Sequence, residues 1–335
     1  MKKRLGSICL LLCIPWLASA QLYLWPVQSW QEMDLVNPAS VHEDYIFTKY
    51  SFKAKAAWRQ KTFRTPPAIG NIDDWGSSFF SCEKLFFTKA HLLTGFWVYS
   101  DKFGATKLVH GSLRLGGVVN LSENSFLSLA ASFGREELSI STSDLYFLQA
   151  GDPIQESDQW TGAWALGAGV FYRYQRMKHD GKDWGAYAGI SMPAILEPAP
   201  SGGNVGGYNY FHDLETWHAQ TGFTKSIANG RWLESSLWTQ VKDGHFLEGS
   251  VTLRFRWLSD QIRSGKKHSW YTAAHIGTGY SSWGFVHFEA GIVWSKHWKV
   301  VCSYDHKPSP ILGTRSLPIQ LSLAYLGGRA SGKGK

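Results

Sequence analysis

Four features of the chain hold residue types that could do chemistry. The run "PSGGNVGGYNY" (Pro200–Tyr210) offers glycine N–H groups of the kind that cradle phosphate. It lacks the Gly-x-x-x-x-Gly-Lys-Ser/Thr order and opens no helix, so it reads as a loop. "HEDY" (His42–Tyr45) sets an imidazole beside two carboxylates. With no second ligand pair at fixed spacing, it reads as a solvated segment before the first strand. Ser, His and Asp recur along the chain, yet no spacing fixes a nucleophile, base and acid set. Cys82 and Cys302 could form one disulfide in an exported protein. Each lies on the apolar side of an alternating pattern, however, where a buried or lipid-facing thiol fits equally well. No catalytic, cofactor-binding or metal-ligating residue is therefore assigned. No cofactor is implied, and the chain reads as non-enzymatic.

The elements that would have to position such residues are set by the class of the protein. Met1-Lys2-Lys3-Arg4, the apolar run Leu5–Leu17 and the small residues Ala18-Ser19-Ala20 form a signal-peptide pattern over 1–20, with Gln21 as the first mature residue. Lipid anchoring at Cys13 would need a small residue before it, and Leu12 stands there. The formal charge of +8 falls further when Lys2, Lys3 and Arg4 leave, which is too mild to argue for nucleic acid. After the signal, no apolar run reaches the roughly 18 residues of a helical span. Hydrophobic residues nevertheless make up 44% of the chain and aromatics 15%, with 17 tryptophans. An exported chain so rich in aromatic side chains and without a spanning helix suggests a β-barrel in the outer membrane of a Gram-negative bacterium, where such rings form interfacial girdles.

Period-two alternation supports this reading. In "EGSVTLRFRWLSD" (Glu248–Asp260), Val251, Leu253, Phe255 and Trp257 fall on one face and Thr252, Arg254 and Arg256 on the other. "FTKYSFKAKAAWRQ" separates Tyr50, Phe52, Ala54, Ala56 and Trp58 from Lys49, Lys53, Lys55 and Arg59. "KLVHGSLRLGGVVN" separates Val109, Leu113, Leu115 and Val119 from His110, Ser112, Arg114 and Asn120. Candidate strands fall near 47–60, 75–87, 91–99, 106–121, 125–134, 161–174, 183–193, 214–226, 231–241, 246–258, 269–280, 284–295, 297–305 and 315–326. Fourteen is an even number, as a single-chain bacterial barrel with both ends on one side requires. The longest connections (61–74, 135–160, 194–213 and 306–314) are odd in order, and several of the shortest (88–90, 122–124, 227–230 and residue 296) are even. A barrel with periplasmic termini sorts its loops this way. A soluble sandwich could account for one such strand, but has no reason to sort loops. An arginine facing lipid at the midplane would cost about 2–4 kcal/mol, so Arg254 and Arg256 are expected to face the lumen. The fold class expected is an all-β, antiparallel transmembrane β-barrel of about fourteen strands. It would comprise a signal peptide (1–20), an N-terminal periplasmic arm (21–46), the barrel (47–326) and a C-terminal tail (327–335).

A series of short motifs resembles the PorP/SprF family of type IX secretion system membrane proteins. "VNPAS" (Val36–Ser40) is similar to that family's Asn-Pro-Ala element. A first strand ending "AAWRQ" (Ala56–Gln60) and the pair Pro66-Pro67 follow it. "GFWVYSDKFG" (Gly95–Gly104) resembles the family's strand, Asp-x-x-Gly turn and next strand, and "FLSLAASFG" (Phe126–Gly134) its Leu-rich fifth strand. "GAYAGISMPAIL" (Gly185–Leu196), "YDHKPSPIL" (Tyr304–Leu312) and "LPIQLSLAYL" (Leu317–Leu326) complete the order. Two features depart from the family pattern. Ser40-Val41 stands where an aromatic and Gly often follow the Asn-Pro-Ala, and a tail from Gly327 overruns the last strand. Pro38 restricts Asn37 to extended backbone and has no N–H donor, which suits a bent arm or the start of a plug.

What the resemblance implies is a non-enzymatic outer-membrane component supporting export or surface anchoring of secreted proteins or adhesins, with a link to gliding motility. Its partners would be outer-membrane lipid, the secretion ring or translocon, and secreted or surface-anchored substrates. A passive porin-like channel is the alternative. It draws on inward Lys53, Lys55, Arg114, Arg254 and Arg256, which would favour anions in an open bore. A barrel hydrolase has only scattered Ser, His and Asp in its favour.

Overall fold

The computed structural model describes residues 36–41, 50–61, 75–86, 91–103, 106–141, 159–176, 183–196, 216–228, 230–242, 245–260, 270–282, 284–294, 297–306 and 319–329. The signal-peptide stretch, His42–Tyr45, Pro66-Pro67 and Pro200–Tyr210 lie outside them. The described residues form fourteen strands. These begin with β1 (Tyr50–Lys61), β2 (Trp75–Phe86), β3 (His91–Phe103), β4 (Thr106–Ser122) and β5 (Ser125–Ile140). β6 (Gln159–Arg176), β7 (Trp184–Leu196), β8 (Trp217–Ala228), β9 (Arg231–Lys242) and β10 (His245–Asp260) follow. The last four are β11 (Trp270–Ser281), β12 (Val286–Trp294), β13 (Trp298–His306) and β14 (Ile319–Arg329).

Each strand pairs antiparallel with its neighbours in sequence, and β1 pairs with β14 to close the barrel. Closure gives every strand two hydrogen-bonded neighbours. In hydrocarbon each unsatisfied backbone group costs several kcal/mol, so a sheet can cross only as a ring without edges. The strands run from 9 to 18 residues, enough for the roughly 9–11 that a tilted span needs.

The pleat sorts the side chains as the alternation requires. In β10, Val251 and Leu253 are 56% and 46% exposed, whereas Arg254 and Arg256 are 4% and 5%. The same division holds in β4 between exposed Leu113 and Leu115 and buried Ser112 and Arg114, and in β14 between Leu321 and Leu323 and buried Gln320 and Ser322. Cys82 and Cys302 are both free thiols on outward-facing positions, in β2 and β13. No disulfide joins them.

β1 starts and β14 ends at the same end of the barrel. The long connections 62–74, 141–158, 197–216 and 307–318 all belong to the opposite end. At the terminal end, β8 and β9 are joined by two residues, where Gly230 takes a φ of 71° that a side chain would strain.

Two expectations need correction. Asp101 does not open a turn. It lies inside β3, opposite Ser77 of β2 and Leu108 of β4, with its side chain buried toward the lumen. Pairing on both flanks outweighs the local turn preference of Asp and Gly. The tail expected from Gly327 also begins later, because Gly327 and Arg329 continue β14 opposite Phe52 and Tyr50 of β1. Glycines are poor strand formers, but without these residues the first turn of the ring's seam would lack a partner.

The sidedness of β10 can be checked directly. Leu253→Arg puts a charge into lipid at about 2–4 kcal/mol. It is expected to lower the folded fraction in refolding assays, read as the fast-migrating unboiled species on a gel, while Leu253→Phe leaves that fraction unchanged.

Candidate functional site

The lumen is where the sequence places its polar side chains, and a short segment of the chain's own N-terminal part occupies it. Val36–Val41 lies within the barrel, and all six residues are buried. The segment expected as a periplasmic arm or the beginning of a plug is thus lumenal over these residues. Its shape is local in origin. Pro38 holds the backbone in a turn, the Ser40 N–H donates to the Asn37 carbonyl at 3.0 Å, and the Ala39 N–H donates to Asn37 Oδ1 at 2.9 Å. An Asn side chain that caps its own turn in this way needs no help from the wall.

The wall then fixes the turn in place. Asn37 Nδ2 donates to the Val170 carbonyl of β6 at 3.1 Å. Ser191 of β7 donates its hydroxyl to the Val36 carbonyl at 2.6 Å. Arg114 of β4 donates to the carbonyls of Ser40 and Pro38 at 3.3 and 3.5 Å. The same guanidinium pairs with Glu83 of β2, which in turn meets Lys53 of β1 at 3.5 Å. Apolar contacts complete the seat. Val36 joins a cluster with Ala57, Phe79, Trp97, Tyr99 and Trp238. Ala39 packs with Ala130, Phe171 and Tyr187, and Val41 with Leu85, Leu93 and Val118. Glycine is required where Asn37 comes closest, because a Cβ on Gly169 or Gly189 would run into its side-chain amide.

A second array lines the wall away from that turn. Arg254 of β10 donates Nε to Glu289 of β12 at 2.7 Å and Nη1 to Glu234 of β9 at 2.9 Å. Arg256 pairs with the same Glu234. His287 of β12 meets Asp305 of β13 at 2.5 Å through Nδ1 and Glu289 at 3.5 Å through Nε2. Arg59 of β1 donates to Asp305 at 2.6 Å. The chain of contacts therefore runs from β9 to β1 across the inner wall, and its members are almost fully buried. Pairing suits such groups, since a desolvated charge without a counter-charge is expensive. The imidazole of His287 faces a carboxylate on each ring nitrogen, an arrangement that ties β12 to β13. Among the described residues, no group of three His, Cys, Asp or Glu side chains has metal-holding geometry.

Lys53, Lys55, Arg114, Arg254 and Arg256 all point inward, as the alternation implied. Lys53 and Arg114 meet Glu83, Arg254 meets Glu234 and Glu289, and Arg256 meets Glu234, so the anion preference expected of these cations in an open bore is set against neighbouring carboxylates. Lys55 sits over the Phe79 ring at 5.4 Å. Sequence reading missed the acids. Their signal was available, since Glu83, Glu234 and Glu289 occupy inward positions of their strands, but which cation each meets depends on register between strands.

The family description "Type IX secretion system membrane protein PorP/SprF" matches residues 71–325. Among solved structures, the chain is similar to "CymD monoaromatic hydrocarbon channel" at 9% identity and a TM-score of 0.51, covering 87% of this chain and 93% of that one. It is also similar to "TodX deltaS2S3 mutant monoaromatic hydrocarbon channel" at 9% identity and a TM-score of 0.53, with the same coverage of 87% and 93%. At that identity the likeness is one of fold. Among curated proteins, no sequence matches.

The second array makes its own prediction. Arg254→Leu removes a cation shared by two buried carboxylates, a loss of about 3–5 kcal/mol for breaking a buried pair from one side. The denaturant midpoint of the detergent-solubilised barrel is expected to fall, and adding Glu289→Gln to Arg254→Leu is expected to recover part of it.

Proposed function

This chain belongs to the PorP/SprF family of type IX secretion system membrane proteins, and from that premise we propose that it serves the type IX apparatus as a plugged, non-enzymatic outer-membrane barrel. In this reading residues 1–20 direct export, the barrel termini face the periplasm and the long connections face outward. The barrel supports export or surface anchoring of secreted proteins or adhesins. Its partners are ring or translocon proteins and their substrates, and the process is linked to gliding motility.

The observation that carries the reading is the occupied lumen. Val36–Val41 is held by β4, β6 and β7 through main-chain and side-chain hydrogen bonds and by three apolar clusters on the wall. A secretion component that must stay closed while it engages other proteins is served by such a seat. The competing channel reading drew on inward cations, and Lys53, Arg114, Arg254 and Arg256 each meet a carboxylate of the wall. The long connections at one end add surface on a rigid scaffold, where binding residues tend to concentrate.

The experiment compares a deletion strain with its parent. Deletion is expected to trap one or a few exported proteins inside the cell while small-solute uptake stays unchanged. An intact set of secreted and surface proteins with slowed uptake would overturn the secretion reading in favour of a porin. In planar bilayers the native barrel is expected to show little conductance. Removal of Val36–Val41, or Gly169→Val to displace Asn37, is expected to open stable conducting states.

A further inference from the structure

The lipid-facing wall carries a groove of about 480 Å³ spanning β4 to β8. Strand register explains it. Ala131 of β5 and Ala168 of β6 stand side by side in one hydrogen-bonded row, between the larger Leu115 of β4 and Met192 of β7. The next row presents Leu129, Val170 and Ile190, so two alanines form the floor of a trough with apolar banks. Trp217, the first residue of β8, closes the far side. The wall is irregular there. Pairing of β7 with β8 ends at Ser191 and His218, and β7 shifts register against β6 so that Met192 faces Ala168 while Leu196 faces Leu166. Pro193 lies within that shift and can donate no ladder hydrogen bond.

We propose that this groove seats one hydrocarbon chain of an outer-leaflet glycolipid, one backbone layer away from the lumenal Asn37. The groove is continuous with the barrel's lipid-facing surface, since Leu115, Leu129, Ile190 and Trp217 are all exposed on it, and its lining is apolar apart from Ser191, whose hydroxyl is turned to the Val36 carbonyl in the lumen. A 10 Å-wide helix fills roughly 420 Å³ per turn, so a protein helix would seat only about one turn here, whereas a slender acyl chain can run the groove's length. Trp217 stands at the end of β8 that carries the long connections, which places the mouth of the groove toward the outer leaflet. That assignment rests on the orientation given above. The position matters because the same backbone serves both surfaces. Ala168 and Val170 face the groove, while Gly169 between them bears Asn37 on its lumenal side and the Val170 carbonyl accepts from it.

The test uses the full-length barrel purified from native outer membranes, with bound lipid identified by native mass spectrometry. Wild type and Ile276→Trp, a change on the lipid face of β11, are expected to retain outer-leaflet glycolipid, and Ala168→Trp, which fills the trough, to lose most of it. A photo-crosslinking side chain in place of Ile190 is expected to capture the same glycolipid, which keeps the proposal testable if Ala168→Trp folds poorly. Equal retention by the two Trp variants, a phospholipid as the retained species, a polypeptide as the captured partner, or no capture at all would overturn it. The secretome comparison judges the functional reading separately, so the failure of one does not mimic the failure of the other.

Discussion

The pairing of β1 with β14 is the interaction on which the rest of the structure depends. From Tyr50 opposite Arg329 to Gln60 opposite Ile319, this seam turns a fourteen-stranded ribbon into a ring, and only a ring can place its backbone in hydrocarbon without unpaired donors and acceptors. Once the ring is closed, each strand has a single viable sidedness. A one-residue slip would exchange the lipid-facing and lumenal sets, moving residues such as Arg254 and Glu289 into lipid. The seam explains why β14 extends through two glycines to Arg329, against the local preference of those residues.

Closure also creates the enclosed space in which charge must be managed. The two ionic arrays treat the problem differently. Around Glu83, the cations of β1 and β4 converge on one acid, and Arg114 uses its remaining donors on the carbonyls of Ser40 and Pro38. Here the pair orients a guanidinium toward the lumenal turn. The array from Glu234 to Arg59 links strands to one another along the wall. Buried pairs of this kind add little net stability relative to apolar packing, but they penalise any arrangement that separates them. Their effect is to hold the relative positions of β9 to β13 and β1.

The lumenal turn and the outer groove meet across the backbone of β6 and β7. Gly169 and Gly189 let Asn37 approach the wall from within, and Ala131 and Ala168 leave a trough outside. Small residues lie on both faces here, and the register shift at Met192–Leu196 falls beside them.

The sequence by itself determined the class of the fold, the strand number and the direction each side chain faces, because alternation along a strand is set by the pleat of that strand alone. It also marked Asn37-Pro38-Ala39 as a bent element, since proline acts on its immediate neighbours. What it left undetermined depends on contacts between distant residues. Arg59 and Asp305 are 246 positions apart and become a pair only when the ring closes, so the acid that each inward cation meets is not legible strand by strand. Asn37 meets Val170 across 133 positions, and nothing in "VNPAS" specifies that glycines on β6 and β7 will receive it. Asp101 looked like a turn residue because its local neighbours favour one, and only pairing with β2 and β4 on both sides made it part of a strand. Local geometry is encoded in neighbouring residues, whereas partner choice is a property of register and closure, which the tertiary structure alone decides.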